Sequence, residues 1–359
     1  MKRYEALAEE VAESIRRRLL KPGDRLPSVR QASAARGVSP STVFQAYYLL
    51  GGMQVDADAI VVTNGALEAL NLAIGVVTAP GDAVLVESPC FYAALQILQR
   101  RNLRAIEVPT HPREGIDLDA VEAAIARHAP RACWVMGTFQ NPLGASMPPE
   151  RKRALVELLA RHSIPLIEDD VYTELYFGSE RPVPAKAFDR EGLVMHCSSF
   201  SKCLAPGHRI GWVAGGRFAG RIARHKLTTT LNTNVPSQMA IAHYLERGGF
   251  DRHLRRLRRT LAAQQAEYLA AVGRYFPSGT RVTRPAGGYF LWLELPAGTD
   301  ALAIQRQAAA QGISVAPGPM FSASRGFGHC LRLNCGHPLD ARTQAALATL
   351  GRLATAHAG

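Results

Sequence analysis

The sequence predicts an α/β fold preceded by a small helical segment, and three observations carry that expectation. From Ile60 onward, apolar β-branched runs alternate with helical patterns. The composition shifts at Gly51-Gly52, and short helical patterns broken by turn residues fill the stretch before it. Strands alternating with helices imply a largely parallel sheet, with sites at the carboxyl ends of its strands. The expected division is residues 1–50 and residues 51–359.

In the first segment, Tyr4, Leu7, Ala8, Val11, Ile15 and Leu19 recur at helical spacing and predict one helix over about 4–20. Lys21-Pro22-Gly23-Asp24 ends it with turn chemistry. Leu26-Pro27-Ser28 opens a second short helix, where Ser28 can satisfy free N–H groups of the first turn. Gly37 closes it, and Ser39 caps a third helix running through Thr42, Gln45 and Tyr48. Two short helices joined by a tight Gly-containing turn suit a helix-turn-helix, whose second helix enters the major groove. In the second segment, strands are expected at Ile60–Thr63, Ala83–Val86, Ala132–Met136, Pro165–Glu168 and Leu193–His196.

Composition narrows the class. With 359 residues, 47% apolar and 20% charged, the chain reads as globular rather than disordered or fibrous. Its longest apolar stretches are strand-sized, too short to span a bilayer, and Met1-Lys2-Arg3 leads into no apolar signal core. Cys90, Cys133, Cys197, Cys203, Cys330 and Cys335 show no C-x-x-C spacing or His partner pattern. That argues against disulfides and against a zinc site, and suits a reducing cytosol, so no metal is expected and the location expected is cytoplasmic. The balance is basic, 42 Lys and Arg against 30 Asp and Glu, net +12. Residues 1–50 hold nine basic and five acidic groups, roughly three times the net charge density of the rest. A second cluster, Arg252, Arg255, Arg256, Arg258 and Arg259, falls on a predicted helix, either as a solvated face or as a phosphate contact.

The run P-G-D-R-L-P-S-V-R-Q-A-S-A-A-R-G-V-S-P-S-T-V-F-Q-A-Y resembles the winged helix-turn-helix of the GntR family. The resemblance implies that Arg25, Arg30, Ser39, Ser41 and Thr42 contact phosphates or base edges of double-stranded DNA. Arg can grip phosphate or guanine bidentately, and Ser and Thr hydroxyls are short phosphate donors. Pro40 and Phe44 stand where that family usually places basic side chains, a departure that alters base reading.

The second segment holds a constellation. In S-S-F-S-K-C-L-A-P-G-H-R-I-G-W, positions 198–212, a Lys in a Ser-rich turn is followed seven residues later by an Arg. That suits an amine able to form an imine with an aldehyde, beside a phosphate clamp of Ser199 and Arg209. Taken alone, Lys202 would read as a surface lysine. E-D-D-V-Y at 168–172 places Asp169 and Tyr172 at a strand end, where an Asp can keep a pyridine nitrogen protonated and a Tyr can bond a phenolic oxygen. F-Q-N-P-L-G at 139–144 offers Asn141 to that same oxygen. T-N-G-A-L-E-A-L at 63–70 turns a strand into a helix, so that Gly65, Ala66 and Leu67 present backbone N–H groups to a phosphate. Phe91 can stack on a flat ring, and Arg332 in L-R-L-N suits a carboxylate.

In this order these elements resemble the fold-type I pyridoxal-phosphate aminotransferases of class I/II over roughly 53–355, together with P-A-G-G-Y-F-L-W at 285–292 and V-A-P-G-P-M-F at 315–321. The resemblance implies a mixed, mostly parallel sheet with a small C-terminal domain, and pyridoxal 5'-phosphate as cofactor. It implies that Lys202 forms the internal aldimine, Asp169 pairs with the pyridine nitrogen, and Asn141 and Tyr172 bind the ring oxygen. Phe91 would stack on the ring, Gly65, Ala66, Leu67, Ser199 and Arg209 would hold the phosphate, and Arg332 the α-carboxylate. Gly287, Gly288 and Tyr289 border the substrate space or make a tight strand turn.

A GntR-like reader joined to an aminotransferase-like domain resembles the MocR regulators. The group implies a homodimer on paired DNA half-sites that senses pyridoxal phosphate, an amino compound, or both. The alternative class is a plain amino-acid aminotransferase, which needs no DNA-reading segment. One departure is sharp. Between Leu50 and Gly51 the expected wing, linker and N-terminal arm are missing. An intact mass compared with 38.9 kDa separates a true deletion from an incomplete sequence.

Overall fold

The structure, a computed structural model, describes residues 3–17 and 59–358. Helix α1 (Arg3–Arg16) buries Leu7, Ala8 and Val11, three positions of the expected apolar stripe. Arg25, Arg30, Ser39, Ser41 and Thr42 lie outside the described residues, as do the boundary at 50/51 and the Leu50–Gly51 junction.

An eight-stranded sheet dominates the rest, in the order β1-β8-β7-β6-β5-β2-β3-β4. Its strands are β1 (Ile60–Thr63), β2 (Ala83–Ser88), β3 (Arg104–His111), β4 (Gly115–Ile116), β5 (Ala132–Val135), β6 (Leu166–Asp169), β7 (Val194–Ser199) and β8 (Gly211–Ala214). β3, β2, β5, β6 and β7 run parallel, whereas β8 lies antiparallel between β7 and β1. The five expected strands are present: Ile60–Thr63 as expected, the others with ends displaced by at most three residues. β3, β4 and β8 went unread. Only Val108 of β3 is buried, so it shows no continuous apolar run, and β8 is short and opens on Gly211.

Both sheet faces are covered, which is why the central strands are apolar at successive positions. Val84 and Val86 of β2 and Trp134 of β5 pack on one side, with α2 (Ala66–Val77) and α3 (Tyr92–Arg100). Leu85, Cys133 and Val135 alternate to the other side, with α4 (Leu118–His128) and α5 (Pro149–Arg161). Asp117 caps α4 by accepting from the Ala120 amide at 3.0 Å.

Helices α6 (Ala219–Thr229), α7 (Val235–Glu246) and the 27-residue α8 (Gly249–Tyr275) lead to a small C-terminal unit. Its four-stranded antiparallel sheet runs β11-β12-β10-β9, from β9 (Arg281–Val282), β10 (Phe290–Glu294), β11 (Ala316–Pro317) and β12 (Cys330–Asn334). Leu291, Leu293, Leu331 and Leu333 of that sheet share a core with the C-terminal half of α8, α9 (Ala301–Ala309) and α10 (Ala341–Ala356). All six cysteines are buried and unpaired. Among the described residues no helix is long and apolar enough to cross a membrane.

Candidate functional site

The carboxyl ends of β1, β2, β5, β6 and β7 open toward β12 of the small sheet, and a cavity of about 300 Å³ lies there. It is lined by Ala66, Leu67, Phe91, Asn141, Asp169, Tyr172, Ser199, Lys202, Arg209 and Arg332. Of the cofactor and carboxylate residues expected in the second segment, all but Gly65 line this cavity, and Gly65 directly precedes Ala66.

At one end, β1 turns into α2 through Asn64 and Gly65. Gly65 has φ +83°, and a Cβ there would collide with Arg209 Nη2. The Arg209 Nη2 donates to Asn64 O at 3.1 Å and its Nη1 to Ser201 Oγ at 3.3 Å. A guanidinium beside free amides at a helix N-terminus makes an anion site. Ser199, buried at the end of β7, accepts from the Ser201 amide at 3.4 Å.

Asp169 closes the floor. It ends β6, is 1% exposed, and its Oδ1 has no hydrogen-bond partner. Burial, reinforced by the charge of Asp170, pushes its carboxyl up to about 7, with Lys202 pulling the other way. A buried acceptor without a partner is costly, and a donor in the cavity would satisfy it. Lys202 Nζ lies 6.0 Å from the Tyr172 ring centroid, and burial lowers its pKa against the attraction of Asp169. Burial holds the Tyr172 phenol well above its ordinary value, so it is a neutral donor at neutral pH.

Strand alternation sends the neighbours of Asp169 to the far side of the sheet. There His196 Nδ1 meets Glu168 Oε2 at 3.0 Å, and its Nε2 stands 3.8 Å from Asp170 Oδ2. These three residues offer atoms within 4.8 Å of one another, the one grouping of metal-ligand geometry among the described residues. Glu168 also accepts from the amides of Ala185 at 2.5 Å and Lys186 at 3.0 Å, and Asp170 accepts from Thr173 Oγ1. Their oxygens are engaged in an internal network.

Across the cavity, Arg332 Nη1 donates to Asn141 Oδ1 at 2.9 Å, its guanidinium lies 4.3 Å from the Phe290 ring centroid, and its Nε is buried without a partner. A second, open groove of about 610 Å³ shares Tyr92, Arg332 and Asn334 with the first. The sequence reading missed Tyr92, Ser201 and Asn334 on the cavity wall, and the Asn64 carbonyl that holds Arg209. Tyr92 and Ser201 each adjoin a residue already singled out, which is the signal that could have found them. Of the arginine cluster on α8, Arg258 turns inward, its Nε donating to Glu174 O at 2.7 Å and its guanidinium lying 3.7 Å from the Tyr176 ring centroid.

Comparison with known proteins gives one family match and several relatives. The aminotransferase class I and II family matches residues 6–348. The HTH-type transcriptional regulator YdcR of Escherichia coli K12 is 48% identical over 334 residues, 93% of this chain and 69% of that protein. YjiR, an HTH-type transcriptional regulator of the same strain, is 42% identical over 84% of this chain and 64% of its own length. Among solved structures, LysN, the α-aminoadipate aminotransferase of Thermus thermophilus complexed with N-(5'-phosphopyridoxyl)-L-leucine, aligns with TM-score 0.78 and 30% identity, covering 98% of this chain and 88% of that one.

Proposed function

The chain belongs to the aminotransferase class I and II family and shares the MocR-type architecture of its regulator-named relatives; from that premise we propose that it is a DNA-binding transcriptional regulator whose α/β domain takes up pyridoxal 5'-phosphate and senses an amino compound. The observation that carries the ligand half of this reading is the buried Asp169, which lines the same cavity as Lys202 and Arg209 and whose Oδ1 has no hydrogen-bond partner.

Each residue present fits that group. When bound, pyridoxal phosphate supplies an aldehyde for amine exchange and a ring that withdraws electrons. Arg209, Ser199 and the α2 N-terminus hold its phosphate, Asp169 accepts from the ring nitrogen, and Asn141 and Tyr172 donate to the ring oxygen. Phe91 covers the ring face. Lys202 provides the amine, its lowered pKa leaving more of it neutral and nucleophilic at neutral pH. Arg332 is positioned for the carboxylate of the amino compound, with Asn141 fixing its orientation. Closure of the small C-terminal unit over the amino compound alters the spacing of two DNA-binding heads in a cytoplasmic homodimer. Such a ligand shifts the equilibrium only by its differential affinity for the two states.

The DNA half rests on the N-terminal motif and on the regulator-named relatives. Absorbance spectra with the cofactor, before and after borohydride, test the ligand half: Lys202→Ala is expected to abolish the imine band and the covalently trapped mass. Gel shifts on the gene's own upstream duplex at several salt concentrations test the other half, and equal affinity for any duplex would sink it. A second reading, an amino-acid aminotransferase, is favoured by the same Lys202, whose free amine can also carry a proton between carbon atoms of substrate and cofactor. Multiple-turnover release of keto acid would establish it.

A further inference from the structure

Between positions 217 and 259 the chain carries ten Lys and Arg and two Asp and Glu. The remainder of residues 51–359 is charge-balanced, with 23 of each sign, so this one stretch holds the whole net charge of the large domain. Part of it is spent internally. Lys226 is buried and donates to Leu231 O at 3.1 Å, and Arg258 is held by Glu174. Four others are not. Arg252, Arg255, Arg256 and Arg259 are exposed on α8, and among the described residues none is in an ion pair.

Their spacing, i, i+3, i+4 and i+7, puts all four on one face of the helix, over about 10 Å of its length. Like charges at these separations repel each other, and a solvated helix face ordinarily interleaves them with acids. Here no acidic residue follows on α8 until Glu267. Exposed Arg247, Arg221 and Arg224 add to the same stretch. Arginine is the cation whose planar fork matches a phosphate, and a 10 Å stripe equals the axial span of about three phosphates of one DNA strand.

We infer that the outward face of α8 at Arg252, Arg255, Arg256 and Arg259 is a docking surface for the sugar–phosphate backbone of duplex DNA, a sequence-independent contact additional to the N-terminal reader. The inference rests on the reading of the chain as a DNA-binding regulator. The inner face of the same turns is fixed to the cavity wall: Leu254 packs in the cluster that contains Tyr172, and His253 Nε2 lies 2.9 Å from the carbonyl of Cys203, next to Lys202. DNA held on this face therefore touches the helix that backs the ligand site.

The test is fluorescence anisotropy on the full-length, cofactor-loaded protein, using the gene's own upstream duplex and a scrambled duplex of equal length, across a salt series. The variant R252Q/R255Q/R256Q/R259Q is expected to lose about tenfold or more in affinity for both duplexes, with their ratio unchanged. The slope of log K against log salt should shrink by about 3 to 4. Should the quadruple variant fold poorly, judged by its melting midpoint and cofactor uptake, Arg256→Gln alone is expected to shrink the slope by about 1. Wild-type affinity and slope in these variants, while the wild type still prefers its own duplex, would overturn the surface and leave the regulator reading standing. Failure of the wild type to bind either duplex would overturn both. Loss of binding to phosphatidylserine vesicles, with DNA binding untouched, would assign the face to a membrane surface and overturn the inference too.

Discussion

Arg332 and Asn141, 191 residues apart, are joined by a hydrogen bond of 2.9 Å that ties the small C-terminal sheet to the loop after β5. Arg332 stands on β12 and Asn141 in the loop after β5, so the bond links two walls of the cavity. Arg332 also keeps a buried Nε without a partner, a donor still available to a ligand oxygen.

A carboxylate that takes up this guanidinium gains charge-assisted hydrogen bonds. Arg332→Gln is therefore expected to weaken the binding of amino acids by about 10- to 100-fold, the equivalent of about 1.5–3 kcal/mol. The corresponding amines without a carboxylate should lose little. Difference absorbance of the cofactor-loaded protein during titration reads both series. An equal loss for acids and amines would mean that Arg332 shapes the cavity without binding the carboxylate.

Asp169 makes the stability of the cofactor-free protein depend on pH. Its carboxyl is raised from 3.8 to about 7, chiefly by burial, so the folded chain holds this proton more tightly than the unfolded chain. Between about pH 4 and pH 7 the unfolded state binds fewer protons, and stability falls as pH rises, by at most about 1.4 kcal/mol per unit. Asp169→Asn should flatten this slope, as should loading the wild type with a cofactor whose ring N–H stabilises the carboxylate. Urea midpoints at pH 5, 6 and 7 measure it. The same slope in wild type and variant would show that Asp169 is not the group responsible.

The grouping of these residues around one cavity was largely legible in the sequence because most of them sit inside short motifs at or just after a strand end. Lys202 with Arg209, Asp169 with Tyr172, and Gly65 with Ala66 are separated by few residues, so local spacing specified them. The Arg332–Asn141 bond was not legible, because only the packing of two sheets sets that separation. The Asn64 carbonyl that orients Arg209 carries no side-chain signal at all. The antiparallel sense of β8 left no mark either, since four buried or half-buried residues read alike in both directions. On α8 the five arginines looked equivalent, and the fold divides them, turning Arg258 toward Glu174 and Tyr176 and leaving the other four outside.

Glu87 lies on β2, 2% exposed, and accepts from the Met136 amide at 2.8 Å through one oxygen while the other has no partner. Burial pushes its carboxyl up to about 8, opposed by that amide. Near pH 4 the group is protonated in both the folded and the unfolded chain, and Glu87→Gln, which copies its shape, should change stability there by no more than about 0.5–1 kcal/mol. The sign is that of a raised carboxyl pKa: the wild type loses stability as pH rises toward 8 and the variant does not. From about pH 6 upward Glu87→Gln should be the more stable protein, by an amount that levels off above pH 8. A variant strongly destabilised at pH 6 would mean that Glu87 is ionised when folded.

Three glycines near the cavity predict three different outcomes for the same change to Ala. At Gly207 an added Cβ meets nothing within 4 Å, so Gly207→Ala should leave both stability and cofactor uptake within about 0.5 kcal/mol of wild type. At Gly211 the Cβ would lie 2.6 Å from the Gly65 carbonyl carbon, 2.8 Å from the Ala66 nitrogen and 2.8 Å from the Ser198 carbonyl oxygen. All three are backbone atoms and cannot swing aside, so β8 must shift away from α2, at a cost of about 2–4 kcal/mol in stability. Gly65 is the intermediate case. Its φ of +83° strains any side chain, and its Cβ would meet Arg209 Nη2, the end of a side chain that can move. Gly65→Ala should therefore fold at a cost of about 1–2 kcal/mol but displace the guanidinium from Asn64 O, weakening phosphate binding at least tenfold. Melting midpoints paired with titrations of inorganic phosphate against the cofactor-free protein separate the two effects. Unchanged phosphate affinity in Gly65→Ala would remove Arg209 from the anion site.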